Sequence, residues 1–319
     1  MDMTDQTTPS TPPTNDGLVR RILDSDLFYD FSRRPIIILS AILTLVIILA
    51  AALAPWIAPH TPFDPSTLNL MDGFTPPMQP NAFTGNLYWM GTDSQGRDIF
   101  SAILYGARIS LLVGFAAVAF AAILGITLGL IAGYKGGWVD TLIMRIADVQ
   151  LSFPAILVAL LIFGITKSLI PSEMQEQAAI YVLILSIGLS DWVQYARTVR
   201  SSTLAEKNKE YVQAARLFGV SSIRILARHI LPNVMGPVLV IGTIGLALAI
   251  ILESTLSFLG VGVPATQPSL GTLIRVGNEF LFSGEWWITL FPGITLLILA
   301  LSVNLLGDWL RDALNPRLR

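Results

Sequence analysis

Five stretches of this 319-residue chain run without a formal charge for roughly the length of a bilayer crossing: residues 35–63, 109–134, 149–166, 231–252 and 286–307. A hydrocarbon core about 30 Å thick takes about 20 apolar residues of helix. Backbone polar groups inside it must also be satisfied within the segment. A sixth run, 177–190, is short before Asp191 but continues through Trp192, Val193, Gln194, Tyr195 and Ala196. It counts as a span with a polar residue near one end. The polar–apolar alternation of barrel strands, each about ten residues long, is missing. Only 13% of residues are charged and 53% are hydrophobic, against about 25% charged in soluble domains. The chain is therefore predicted to be an all-α polytopic membrane protein with six transmembrane helices.

The positive charges set the orientation. With a cytoplasmic N-terminus, sixteen of the 20 lysines and arginines fall in inside segments, leaving only Arg97, Arg108, Lys167 and Arg275 outside. This bias places both termini in the cytoplasm. A chain with no cysteine has no disulfides, no thiol chemistry and no Cys-ligated zinc. Ala52-Leu53-Ala54 resembles a signal-cleavage site, but 34 residues precede the run. The run also exceeds the about 7–15 residues of a signal core, so the first span is expected to be a retained anchor.

These features divide the chain into a cytoplasmic tail (1–34), the first anchor (35–58), an extracytoplasmic segment (59–106), a five-helix core (107–311) and a short cytoplasmic tail (312–319). Residues 1–16 have the composition of a disordered tail, and 18–34 suit either an interfacial helix or a plain charged flank. Closely spaced prolines from Pro55 to Pro80 argue against regular structure there. Gly91 to Asp98 then reads as a capped turn leading into a helix that carries Ile99, Phe100, Ile103 and Leu104. Gly125, Gly129 and Gly133 recur four apart in the second span, a row that lets two membrane helices approach closely. Residues 257–285 are too short and too broken by Pro264, Pro268 and glycines to span. They are predicted to form a short re-entrant or surface segment outside.

The most informative stretch is the predicted cytoplasmic loop 197–233. Glu206 to Phe218 is rich in helix formers, and Gly219 suits a helix C-terminus. Ser221 and Ser222 suit the N-cap of a second helix through Ile230, which Pro232 is expected to break. Two short helices bounded by spans would move those spans as rigid bodies. Ala214 and Ala215 would allow close packing against another surface, with Tyr211, Leu217 and Phe218 as apolar anchors. Periodicity alone leaves a second reading open, an amphipathic loop lying on the headgroups through its basic residues.

Glu210-Tyr211-Val212-Gln213-Ala214-Ala215-Arg216-Leu217-Phe218-Gly219, followed after nine residues by His229-Ile230-Leu231-Pro232-Asn233, resembles the EAA loop of ABC importer permeases. It departs from that pattern in having Gln213 at the namesake glutamate and an isoleucine displaced by one position. Gly91-Thr92-Asp93, Gly96-Arg97-Asp98, Gly106 to Leu111, Glu253 with Leu256 to Gly260, Pro268 to Gly271, and Asp312 to Arg317 are similar to the C-type permease of the dipeptide, oligopeptide and nickel branch. The resemblance covers about residues 20–319. It implies a type I importer permease fold in the bacterial inner membrane and uptake of di- or oligopeptides. It also implies four kinds of partner: a second homologous permease, one or two nucleotide-binding ATPase subunits, an extracytoplasmic binding protein and the lipid bilayer. Nucleic acid is not among them. The coupling residues it implies are Glu210, Tyr211, Ala214, Ala215, Arg216, Leu217, Phe218, Gly219 and Pro232, which in that family enter a groove on the ATPase. No cofactor is expected on this chain, with ATP and Mg held by the partner ATPase.

The chain has no Gly-x-x-x-x-Gly-Lys-Ser/Thr phosphate loop, so it is expected to be a non-catalytic subunit. His60 and His229, its only histidines, fall on opposite sides by topology and offer no two-His metal site. An ion-coupled carrier acting alone would need a mid-membrane relay. Asp148, Asp191 and Asp308 instead fall near the cytoplasmic boundary, beside Arg145, Arg197 and Arg311. Glu253 falls near the outer face, where it is expected to line or brace the outer end of the pathway together with Ser257. A glutamate simply bonded to Ser257 is the competing reading. A solitary proton-coupled carrier and a receptor-type membrane protein are the other two functional classes.

Overall fold

The computed structural model describes residues 30–264 and 266–313. The expectations for 1–16, and for most of 18–34 and of the C-terminal tail, lie outside these residues. The principal helices are α1 (Pro35–Ala52), α2 (Ile99–Lys135), α3 (Gly137–Leu151), α4 (Ala155–Leu169), α5 (Gln175–Glu206), α6 (Glu210–Leu217), α7 (Leu231–Phe258), α8 (Leu270–Asn278) and α9 (Trp287–Ala313). Five helical segments are long and apolar enough to cross a bilayer: α1, α2, Ser172–Glu206, Ser222–Phe258 and α9. The pair α3 and α4 meets at 101° and makes a sixth crossing if taken as one broken span. Contact between the chain's two ends decides the count. Trp309 Nε1 donates to Asp30 Oδ2 at 3.1 Å, and the Trp309 ring stacks edge-on against Phe31 at 5.1 Å. An odd number of crossings would separate these residues by a membrane, so the broken pair is the sixth span.

Two predicted boundaries are corrected. The third apolar run, 149–166, is not one helix, because it breaks at Ser152-Phe153-Pro154. Proline lacks the N–H a helix interior needs and pushes the preceding residue out of the α region, so hydropathy continued where the helix did not. Conversely, α5 runs on to Glu206, through the predicted start of the loop at Arg197. Arg197 pairs with Asp148 and Arg200 with Asp140, both on α3. These ion pairs carry the helix beyond the apolar zone without a break.

The glycine row of α2 seats α5. A Cβ at Gly125 would fall 2.5 Å from the Trp192 carbonyl, one at Gly129 2.5 Å from the Ala196 carbonyl, and one at Gly133 2.7 Å from Thr203 Cβ. At Gly125 and Gly129 the α2 backbone therefore lies directly on the α5 backbone. One apolar cluster joins α1, α2, α7, α8 and α9, and another joins α2, α4, α5 and α7. Helix α8 is the short segment predicted after the fifth span, and it is wedged against α2, α7 and α9.

The extracytoplasmic segment is held by polar bonds. Asp72, 2% exposed, accepts from Asn86 Nδ2 and from the Tyr88 hydroxyl, both at 3.1 Å, and from the Thr84 hydroxyl. Asp98 caps α2, accepting from the Ser101 N–H at 3.0 Å, as the turn from Gly91 to Asp98 foretold. Trp287 Nε1 donates to the Thr92 carbonyl at 3.1 Å and fastens the segment to α9.

Candidate functional site

Between α5 and α7 the chain forms a folded unit. After α5 ends at Glu206, residues 207–209 turn and α6 begins at Glu210. The expected helix from Glu206 to Phe218 is thus divided, since Glu206 serves as an anchor. It pairs with Lys209 at 2.6 Å and accepts from the Tyr211 hydroxyl. Asn233 Nδ2 donates both to the Tyr211 hydroxyl at 3.1 Å and to the His229 carbonyl at 2.7 Å. Partial burial, with the Glu206 carboxylate beside it, pushes the Tyr211 hydroxyl pKa up, so the donor in this chain of bonds stays protonated. Lys207 Nζ donates to the Gly133 carbonyl at 2.7 Å, where the C-terminal carbonyls of α2 attract a cation. The Arg216 guanidinium lies 5.1 Å from the Tyr134 ring centroid. The unit is therefore attached to the ends of α2, α5 and α7 at once.

Gly219 closes α6 with φ +72°, the left-handed conformation expected of a glycine there. The Ser222–Ile225 turn follows, but Pro232 does not end the second helix. A π turn, Leu226–Ile230, leads directly into α7, with Pro232 in its first turn. A helix's first residues need no intrahelical donor, and the π turn gives the proline that position inside a continuous rod. The isoleucine displaced by one position lies in this wider turn.

The structure divides the expected contact face: Leu217 and Phe218 turn outward as expected, and Ala215 does not. Ala215 is 8% exposed and packs with Val212, Ile225, Ile230 and Val234 inside the unit, and Ala214 is half-buried. Ala215 is thus turned inward, where a small residue lets α6 lie on the Ser222–Ile230 turn. The outward apolar groups are Leu217, Phe218 and Ile223, at 89%, 86% and 80% exposure. Glu210 and Arg216 flank them, also exposed. Ile223, a residue of the second short helix, carries no contact role by sequence pattern and is the third outward group.

The second candidate pair, Glu253 and Ser257, sits where α2, α7 and α8 converge. Glu253 has no exposed surface. Its carboxylate accepts from the hydroxyls of Ser110 and Ser257 at 2.8 Å and of Ser254 at 3.2 Å. A group with no exposed surface lines no open pathway, so that part of the expectation is corrected. The signal for its real setting was present in the sequence as serines at both i+1 and i+4, but Ser110 lies 143 residues away.

Residues 125–319 match the family described as the binding-protein-dependent transport system inner membrane component, and residues 25–77 match the N-terminal TM domain of oligopeptide transport permease C. The dipeptide transport system permease of Alkalihalophilus pseudofirmus is 37% identical over 311 residues, covering 98% of this chain and 95% of that protein. The oligopeptide transport system permease of Bacillus subtilis is 36% identical over 294 residues, covering 92% and 90%. Among solved structures, an inward-facing form of the MetNI methionine ABC transporter aligns with TM-score 0.52 at 20% identity, over 68% of this chain and 98% of that one. A second crystal form aligns with TM-score 0.51. These likenesses support a type I importer permease fold. The chain belongs to the binding-protein-dependent transport system inner membrane component family, and is a multi-pass, non-catalytic permease of an ABC importer that works with an ATPase and a substrate-binding protein.

Proposed function

We propose that this chain is one of two homologous permeases in an importer of di- and oligopeptides, and that Leu217, Phe218 and Ile223 dock it onto the ATPase. The exposed apolar trio on an otherwise fastened cytoplasmic unit carries the proposal. Three large side chains facing solvent together mark an interaction surface, and buried aromatic anchors supply most of the energy of such contacts. Glu210, Arg216 and the Gly219 turn frame the trio, while Tyr211 and Pro232 hold it to α5 and α7. Force applied to α6 then passes to the spans without slack. The peptide assignment rests on the relatives named above, whose printed names specify dipeptides and oligopeptides. An extracytoplasmic binding protein delivers the cargo, and ATP and Mg bind the one or two ATPase subunits. Leu217→Ser with Phe218→Ser removes two apolar anchors at about 2 kcal/mol each. The double variant is expected to lose more than tenfold of the ATPase subunits in a pull-down while membrane insertion is unchanged. ATPase retention after deletion of residues 206–231 would refute this docking assignment.

A further inference from the structure

One face of α5 stays open across the bilayer. Gln177, Ile180, Ile184, Asp191 and Thr198 recur on it at helical spacing, and all are at least partly exposed. The rotation of the helix is fixed. Gln150 of α3 donates to the Leu189 and Ser190 carbonyls at 2.8 and 2.9 Å and accepts from Trp192 Nε1 at 2.9 Å. On the α2 side, a Cβ at Gly188 would fall 2.5 Å from the Phe120 ring. The residues flanking Asp191 are thus tied down, and its side chain is left on the open face. Asp191 lies inside the apolar run, six residues before Arg197, or about 9 Å of helix. A carboxylate at that depth calls for a partner or a water-filled path. The nearby cations are taken, since Arg197 pairs with Asp148 and Arg200 with Asp140. Among the described residues Asp191 makes no hydrogen bond and no ion pair.

One turn further in, the Tyr195 hydroxyl is buried without a hydrogen-bond partner. It lies against α7 at Gly245, whose Cβ would fall 2.8 Å from it, and within reach of the Asp191 charge. Unmet polar groups in such a setting need a physical reason. An unpaired carboxylate and an unpaired hydroxyl on adjacent turns fit a ligand that donates to both, and an ammonium group has three such donors and a positive charge. Outward from Asp191, the same face becomes one wall of a cavity of about 710 Å³, formed by Gln177, Ile180 and Ile184 with Pro264 and Gln267. The charged groups lining that cavity are Glu173 and Glu176. The face therefore carries one sign of charge from the cavity to Asp191, which concentrates cations and repels anions.

We propose that Asp191, with the Tyr195 hydroxyl beside it, is a charge-selecting station for cargo, taking the α-ammonium or a lysyl ammonium of a passing peptide. Carboxylate and hydroxyl both accept from the ammonium, and an anionic side chain finds no partner there. That the ammonium belongs to a peptide rests on the peptide-importer reading, whereas the cation preference of this face does not.

The complete transporter is reconstituted in proteoliposomes with its binding protein, and initial uptake of the dipeptides Ala-Lys and Ala-Glu is compared. The ratio of lysyl to glutamyl uptake is expected to fall at least fivefold in Asp191→Asn and to hold in Asp191→Glu. One binding protein serves every variant, so its own preference cancels. An unchanged ratio in Asp191→Asn would overturn the station, and loss of the second permease from that complex would then mark an ion pair between subunits. A second readout needs no peptide. The chain has no cysteine, so Ile184→Cys and Phe83→Cys each give it a single thiol for cationic and anionic methanethiosulfonates. The ratio of cationic to anionic reaction rates is expected to be at least fivefold higher at Ile184→Cys than at Phe83→Cys, and to fall when Asp191→Asn is added. Equal ratios at the two sites, or no reaction at Ile184→Cys at rest and in turnover, would overturn the proposal even where Asp191→Asn does not assemble. A cation preference at the thiol in a transporter that takes up no dipeptide would instead count against the peptide reading alone.

Discussion

Gly129 and Gly164 both lie in apolar helices, yet their surroundings are opposite. A Cβ at Gly129 meets the Ala196 carbonyl at 2.5 Å, while nothing lies within 4 Å of one at Gly164. Gly129→Ala must therefore push α2 from α5, at a cost of about 1–3 kcal/mol. It is expected to lower the thermal midpoint of the solubilised complex, with Gly164→Ala leaving that midpoint in place. The i, i+4 spacing of the row was legible in the sequence, but the helix it faces was not. Tyr88 offers a residue-scale test of the outer segment. Burial, then the hydrogen bond to Asp72 and its negative charge, push the Tyr88 pKa up to about 12. A folded pKa raised above the ordinary value of about 10 means stability that is complete below pH 10 and lost as pH rises toward 12. Limited proteolysis of the outer segment should accelerate across that window, and Tyr88→Phe should remove the alkaline step.

At the scale of elements, proline had two consequences that its identity alone did not separate. Pro154 ends one helix and starts another at a steep angle, whereas Pro232 lies inside a continuous rod behind a π turn. The difference is one of position, since a proline near a helix start removes a donor that had no partner in any case. Pro232→Ala restores an N–H and allows the π turn to relax to α geometry. Removing one residue of register turns everything before it by about 100°, so α6 would face a new direction. The variant is expected to hydrolyse ATP with at least a fivefold lower yield of imported cargo per ATP, measured in proteoliposomes. An unchanged yield would show that the wide turn has no part in coupling.

Across the whole molecule, the contact of Asp30 and Phe31 with Trp309 fixes an even number of crossings, and the charge bias fixes which side is inside. The two faces are then open to independent labelling. Phe83→Cys, at a position 83% exposed, should react with an impermeant maleimide in intact cells. Leu217→Cys should react only after permeabilisation. The reverse pattern would invert the topology.

What the chain's order of residues determined by itself was the class of fold, the side of each loop and the family. Each of these follows from local quantities: length of apolar run, charge at its ends, and short motifs read within one segment. The tertiary structure alone decided that Ala215 turns inward and that Ile223 joins Leu217 and Phe218 outside, because α6 lies on the Ser222–Ile230 turn. It alone placed Ser110 against Glu253, across 143 residues of chain, and set Gly277 of α8 against Ile288 and Thr289 of α9. Such facts depend on which surfaces meet. Contact between distant helices is set by the packing of the whole bundle, and no segment contains it.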